Sequence, residues 1–341
     1  MDIQLDCDLT IQADRPAIQP ASRPKRLSYR NGPTSRQTNQ RTDQRTVQIF
    51  LARLLLRLLA LMPLRSLHAL AVPMGWLARK LPWRKHTVID TNLAHCFPAL
   101  DDSERRKLHR QHLVEMMRLA LESGAVWYWS KRRLFRHVVS VEGWEAVEES
   151  MARGKGVLMV GAHVGNWEIL PLFVSARVPF VALYKAPKQA DLDAAVTASR
   201  SRFGAKLIAS GSPAMRQMLA ALRRGEAIGL LADQQPKQGE GVFAPLFGIP
   251  ASTMTLVNRL ARKTGTPVVF AHAERIAGRG WTIHFQAASE AIGADDPIKG
   301  IAPMHQWLEA VIRRRPAQYL WSYKRFSVRP PGERDFYPPR R

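Results

Sequence analysis

The sequence predicts an α/β fold, with a mainly parallel central sheet flanked by helices and a membrane-associated helical region before it. Three observations lead there. From Gly154 onward, short β-rich apolar runs alternate with segments of helical length and period. Residues 84–153 read mainly as helices. Between Val47 and Trp83 the chain is apolar on too many sides for a half-buried helix, yet carries Arg53, Arg57, Arg65, Arg79 and Lys80. Strands that alternate with helices form a parallel sheet covered on both faces, because each parallel connection needs a crossover.

Composition bounds the function classes. A chain of 341 residues, 46% apolar, can bury a sizeable core. Its two cysteines, Cys7 and Cys96, exclude a disulfide framework or a CxxC zinc knuckle. The formal net charge of +23 attracts a polyanion: nucleic acid, an anionic membrane surface or a phosphorylated substrate. Charge alone does not choose between them.

The elements follow in order. Residues 1–46 are polar, with no sustained apolar period, and read as a disordered basic tail. Residues 47–83 form the membrane-anchoring region. No window of about 18–20 residues there is free of charge, so the pattern suits a helix lying in the interface with arginines reaching phosphates. A short tilted span is the alternative, and the late start and lack of a cleavage site exclude a signal peptide. The remainder, 84–335, divides into a helical lead-in to residue 153 and an α/β core from 154. In the lead-in, Asp102 or Ser103 caps a helix running to about Ser123, and Val141–Ala152 reads as another. In the core, strands are expected at Gly156–Gly161, Phe180–Tyr184, Lys206–Ala209, Ala227–Ala232, Pro267–Ala273 and Trp281–Phe285. Helices are expected at Trp167–Ser175, Asp191–Phe203, Pro213–Arg223 and Ser252–Lys263.

The chemistry points to the end of the first core strand, GAHVGNWEIL, residues 161–170. Ligands of such sheets bind at the carboxyl ends of strands, and His163 stands there. Glu168 follows after four intervening residues, near the next helix start. A turn of that length brings a carboxylate back to the imidazole, fixing its tautomer and stabilising the imidazolium. The other ring nitrogen is then free to take a proton from a hydroxyl. Backbone amides near Gly165–Trp167 face an oxyanion in this reading. A His and a Glu five apart also occur together by chance. No HExxH, GxSxG, Walker A or GxGxxG pattern is present.

Four stretches set this pair in context: Asn92-Leu-Ala-His-Cys-Phe-Pro98; Gly161-Ala-His-Val-Gly-Asn-Trp-Glu168; Ala232-Asp-Gln-Gln-Pro236 with Gly239–Gly248; and Gln318-Tyr-Leu-Trp-Ser-Tyr-Lys-Arg-Phe326. In this order they resemble the lipid A biosynthesis acyltransferase family, the late lauroyl and myristoyl acyltransferases with an H-x4-E motif. The resemblance runs from about Val47 to Gly332. Tyr323 and Lys324 depart from the His-Arg common in the family. Glycerolipid acyltransferases, whose fold the family is expected to share, usually carry Asp where Glu168 stands.

The resemblance implies an acyl carrier protein thioester as donor and an anionic, Kdo-bearing lipid A precursor as acceptor. It also implies that the reaction needs no metal or nucleotide cofactor. The setting it implies is the cytoplasmic face of the cell inner membrane, with the protein a monomer that binds no nucleic acid. His163 and Glu168 are the catalytic candidates. By resemblance Arg202 is placed at the acceptor's anionic groups, against a reading as a solvated helix-end arginine. Lys185, just after the second core strand, joins it. Asp233 ends the fourth core strand at a ligand-binding edge, or serves as a cap or a hydrogen-bond partner. Asn166, which shapes the turn, and Arg325, in an aromatic cluster that also suits packing, complete the substrate-binding set. Two rivals stand beside this reading: an acyltransferase of another phospho- or glycolipid, and a non-enzymatic basic protein that binds membranes or nucleic acid.

Overall fold

A computed structural model describes residues 51–339, apart from 188, 189 and 212; the basic tail and residues 47–50 lie outside the described residues. The described residues begin with a helix over 51–61 (α1) and a second, α2, over Leu64–Lys80. Pro63 separates them, since its ring cannot continue the first helix but suits the start of the next. Helices α3 (Lys85–Cys96) and α4 (Asp102–Tyr128) follow. Asp101 starts α4 with a capping box: its carboxylate accepts from the Ser103 and Glu104 amides, and Glu104 accepts from the Asp101 amide. A five-residue helix, α5 (Lys131–Phe135), leads into the sheet.

α1 and α2 lie against α4. Gly124 makes the close approach of α1 to α4 feasible, because a Cβ there would stand 2.4 Å from the Leu56 carbonyl oxygen. Leu59, Ala60, Leu64, Leu67 and Ala71 are buried at this seam, whereas Leu51, Leu55, Leu58, Leu61, Trp76 and Leu77 on the same two helices are more than half exposed. No described helix is long and apolar enough to cross a membrane.

The α/β core carries β1 (Val138–Glu142), α6 (Glu145–Ala152), β2 (Val157–Gly165), α7 (Ile169–Ser175), β3 (Phe180–Tyr184), α8 (Ala190–Arg200), β4 (Lys206–Ala209), α9 (Ala214–Arg223) and β5 (Ala227–Leu231). The hairpin β6 (Gly241–Leu246) and β7 (Ile249–Met254), α10 (Leu256–Thr264), β8 (Val268–Ile276), β9 (Gly280–Ala287) and α11 (Pro297–Arg314) complete it. Seven strands form one sheet in the order β1-β9-β8-β2-β5-β3-β4. All neighbours are parallel except β8 and β9, which form an antiparallel hairpin. A core lies on each face. Leu158, Val160 and Phe270 meet Trp307 of α11 on one, and Val157, Met159 and Val269 join Phe173 and Trp281 on the other. β2 is therefore buried on both sides, which is why it reads as an unbroken apolar run.

Several boundaries differ from the sequence reading. Val141 and Glu142 belong to β1, so the helix expected from Val141 starts only at Glu145. β1 is a half-exposed edge strand, without the continuous apolar run of the inner ones. Residues 252–254 of the helix expected at Ser252–Lys263 lie in β7, and α10 begins at Leu256. β2 continues past Gly161 to Gly165, which carries His163 within the strand instead of beyond it.

Candidate active site

The register of β2 against β8 breaks between Gly161 and Gly165, where the strand's central position in the sheet gives way to the segment that follows α11. Val164 forms an antiparallel bridge with Tyr319, and the Leu320 amide donates to the His163 carbonyl. Gly165 then turns the chain at φ +61°; a Cβ there would lie 2.0 Å from the Ala273 carbonyl oxygen, so no other residue fits without displacing β8. The Asn166 amide donates to that same carbonyl.

His163 is held by Asp233, two residues beyond the end of β5. Its Nδ1 lies 2.8 Å from Asp233 Oδ1, and its backbone amide donates to Asp233 Oδ2 at 3.0 Å. Burial opposes ionisation of Asp233, but its electrostatic interaction with the His163 imidazole and the hydrogen bonds from that residue outweigh it and hold the carboxyl below its ordinary value. An ionised Asp233 requires the proton on Nδ1 and leaves the Nε2 lone pair outward. The Gln234 side-chain amide lies 3.3 Å from Nε2, and the Trp167 ring stands edge-on to the imidazole at 4.8 Å. The imidazole side chain remains 15% exposed while the Asp233 side chain is 3% exposed, so the ring is reachable and its partner is not.

Glu168 does not meet His163 in this structure. The position expected of it is filled by Asp233, and its carboxylate is instead bidentate on Arg200 of α8, at 2.9 Å from Nε and 2.5 Å from Nη2. Glu168 stands at the start of α7, after the Gly165 turn has carried the chain away from the strand, and the fork geometry of Arg200 captures it there. Arg200, which the sequence reading did not single out, is the cation that Glu168 fixes.

The other expected site residues divide. Lys185 is exposed after β3 and forms no ion pair with a described residue. Arg202, expected at an anionic ligand, points into the protein, where its guanidinium donates to the carbonyls of Ser199, Val126 and Trp129 and so satisfies the end of α4. Arg325 is 2% exposed; it donates to the Ser252 carbonyl and Thr253 Oγ1, tying β7 to the C-terminal segment. Asn166 is buried and donates to Glu122, within an ionic network under the turn. There Arg275 of β8 donates twice to Glu122, once to Glu115 and once to the Gly165 carbonyl. His68 of α2 binds Glu122 at 2.6 Å, so the network ties α2, α4 and β8 to the site's turn.

The other sequence blocks meet at the C-terminal segment, which pairs with β2 at His163 and Val164. Asn92 donates to the Trp321 and Tyr323 carbonyls and accepts from the Tyr337 hydroxyl. Phe97 packs edge-on to Trp321 and against Phe247 of the glycine-bounded block. The Gln235 amide donates to the Tyr323 hydroxyl, and its side chain bonds Ser327 and Val328. Burial pushes the Cys96 thiol up to about 12, so the one described cysteine is no nucleophile. What the geometry can do is take a proton from a hydroxyl at His163 Nε2.

Comparison with known proteins places the chain in a family. Residues 35–327 match the family model of bacterial lipid A biosynthesis acyltransferases, and the chain belongs to that family. The lipid A biosynthesis lauroyltransferase of Escherichia coli K12 is 28% identical over 273 residues, covering 80% of this chain and 88% of that protein. The palmitoleoyltransferase of the same organism is 27% identical over 278 residues, covering 81% and 90%. A lipid A biosynthesis acyltransferase of Haemophilus influenzae is 26% identical over 261 residues, covering 75% and 82%.

Proposed function

We propose that this acyltransferase moves a fatty acyl chain from an acyl carrier protein thioester onto a hydroxyl of a Kdo-bearing lipid A precursor, with His163 as general base. The observation that carries the reading is the Asp233–His163 pair at the carboxyl end of β2, with Nδ1 engaged at 2.8 Å and Nε2 turned outward. The acceptor hydroxyl displaces the Gln234 amide from Nε2 and gives its proton to that nitrogen. Its oxygen attacks the thioester carbonyl, the C–O bond forms, the C–S bond breaks, and the leaving thiolate takes the proton back from the imidazolium. Asp233 holds the ring and its transient charge. Glu168 acts through Arg200, which it fixes for the anionic groups of donor or acceptor. Lys185 adds an exposed cation on the same strand-end edge.

The protein works as a monomer on the cytoplasmic face of the inner membrane, with α1 and α2 lying in the interface. The exposed leucines and Trp76 of these helices support that placement, and Arg53, Arg57, Arg65, Arg79 and Lys80 suit anionic headgroups. The test incubates detergent-purified protein with a panel of acyl carrier protein thioesters and a tetra-acylated Kdo-lipid A precursor, followed by mass spectrometry of the lipid. A gain of one acyl group with wild type and none with a folded His163→Ala variant is expected. No gain with any donor would sink the reading of this acceptor, and glycerol-phosphate and glycolipid acceptors would then identify the alternative.

A further inference from the structure

On the face of the sheet beneath α11, away from His163, three polar side chains meet that the reaction does not use. His272 of β8 and His284 of β9 are register partners, and Glu274 lies two residues further along β8, on the same face. The imidazoles stack with centroids 4.5 Å apart. His272 is 6%, Glu274 2% and His284 8% exposed. Each offers one ligand atom within 4.8 Å of the others. His272 Nδ1, Glu274 Oε2 and His284 Nε2 are buried without any hydrogen-bond partner. Three such atoms in one place are unusual, because buried polar atoms are nearly always paired. A cavity of about 240 Å³, lined by both imidazoles, Glu142, Trp307 and Arg314, opens beside them.

We propose that His272, Glu274 and His284 bind a divalent transition-metal ion, zinc by ligand class, with water completing the coordination from the cavity. Two imidazoles and one carboxylate suit zinc, and three protein ligands with an open position is a geometry it accepts. Neighbouring groups are arranged accordingly. Glu142, on β1 beside His284, lies 3.0 Å from His284 Nδ1; it accepts a hydrogen bond from that nitrogen and leaves Nε2 as the ligand atom. Nε2 faces Glu274 Oε2 at 3.8 Å, a lone pair opposite a carboxylate oxygen, which a cation between them would relieve. Arg315 occupies Glu274 Oε1 at 2.6 Å and leaves Oε2. The Arg314 guanidinium stands 3.4 Å from Oε2, where it holds the place of a cation. Its side chain is 55% exposed in the last turn of α11 and can turn outward. The ion would clamp β8 to β9 and, through Glu142, to the edge strand β1. No sequence motif announces the site, because the ligands pair across a hairpin.

The test uses the full chain, purified without a polyhistidine tag, stripped with chelator, given zinc and desalted. About one zinc per chain should stay bound and the melting temperature should rise, since the ion binds the folded state. His284→Ala should lose the ion, and Glu142→Gln should weaken zinc binding by about 10–100-fold. Wild type that retains no zinc would overturn the proposal, as would His284→Ala that retains the same amount. If His284→Ala does not fold, the surface-facing Glu142→Gln decides: unchanged zinc affinity overturns the site.

Discussion

At the scale of single residues, the site turns on which carboxylate reaches the imidazole. Chain proximity favours Glu168, but Gly165 turns the backbone and Glu168 leaves with α7, while parallel pairing of β5 with β2 brings Asp233 to Nδ1. Arg200 and Glu168 then act as one unit, so Arg200→Ala and Glu168→Gln should not add. A double-mutant cycle on acyl transfer should give a coupling of at least about 1 kcal/mol; independent effects would detach Arg200 from the role proposed for Glu168. The sequence made His163 legible through its place at a strand end. It placed Asp233 at a ligand edge without showing its partner, because the contact spans 70 residues. Arg202 and Arg325 were legible as cations but not as cations facing inward. Their guanidinium groups satisfy carbonyls and a hydroxyl of α4 and β7 that only the folded chain brings near.

At the scale of elements, the buried network of Glu122 links three packed units to the turn that carries Asn166. Burial pushes the Glu122 carboxyl up, but Arg275 and His68 outweigh it and bring it down to about 2. Removing the charge while leaving Arg275 buried should cost about 3–5 kcal/mol, read as a lower melting temperature of Glu122→Gln near neutral pH. The sign of the pH dependence follows. A carboxyl with a depressed folded value adds stability that is complete above its ordinary 4.5 and is lost as pH falls through about 2. The melting gap between wild type and Glu122→Gln should therefore be constant above pH 5 and close across that interval; a gap that widens on acidification would contradict the account. The inner strands were readable from apolar runs bounded by turn residues. β1 and the hairpin β6–β7 were not, since exposed edge and hairpin strands lack that run.

At the scale of the whole molecule, a strongly basic chain presents an apolar face on α1 and α2 beside an α/β core. Leu55 and Leu58 are 57% and 52% exposed on that face. Each leucine inserted into a bilayer interface contributes about 1.5–3 kcal/mol. Leu55→Asp/Leu58→Asp should thus lower partitioning onto anionic vesicles by about a hundredfold or more, measured by co-sedimentation. Unchanged sedimentation would remove these helices as the membrane contact. Asp233 and the C-terminal segment reach His163 and its neighbour Val164 from positions far apart in sequence, while Asn92 and Gln235 hold that segment, and this convergence gives the ordered blocks their physical meaning.

The most direct test of the central claim is the single-turnover rate of acyl transfer by Asp233→Asn, with wild type, His163→Ala and Glu168→Gln measured beside it. If Asp233 fixes the tautomer of a His163 base, Asp233→Asn should lose about 10⁴-fold in rate while staying folded, close to the loss in His163→Ala. An Asp233→Asn enzyme within tenfold of wild type, beside an inactive Glu168→Gln, would contradict the account and return the orienting role to Glu168.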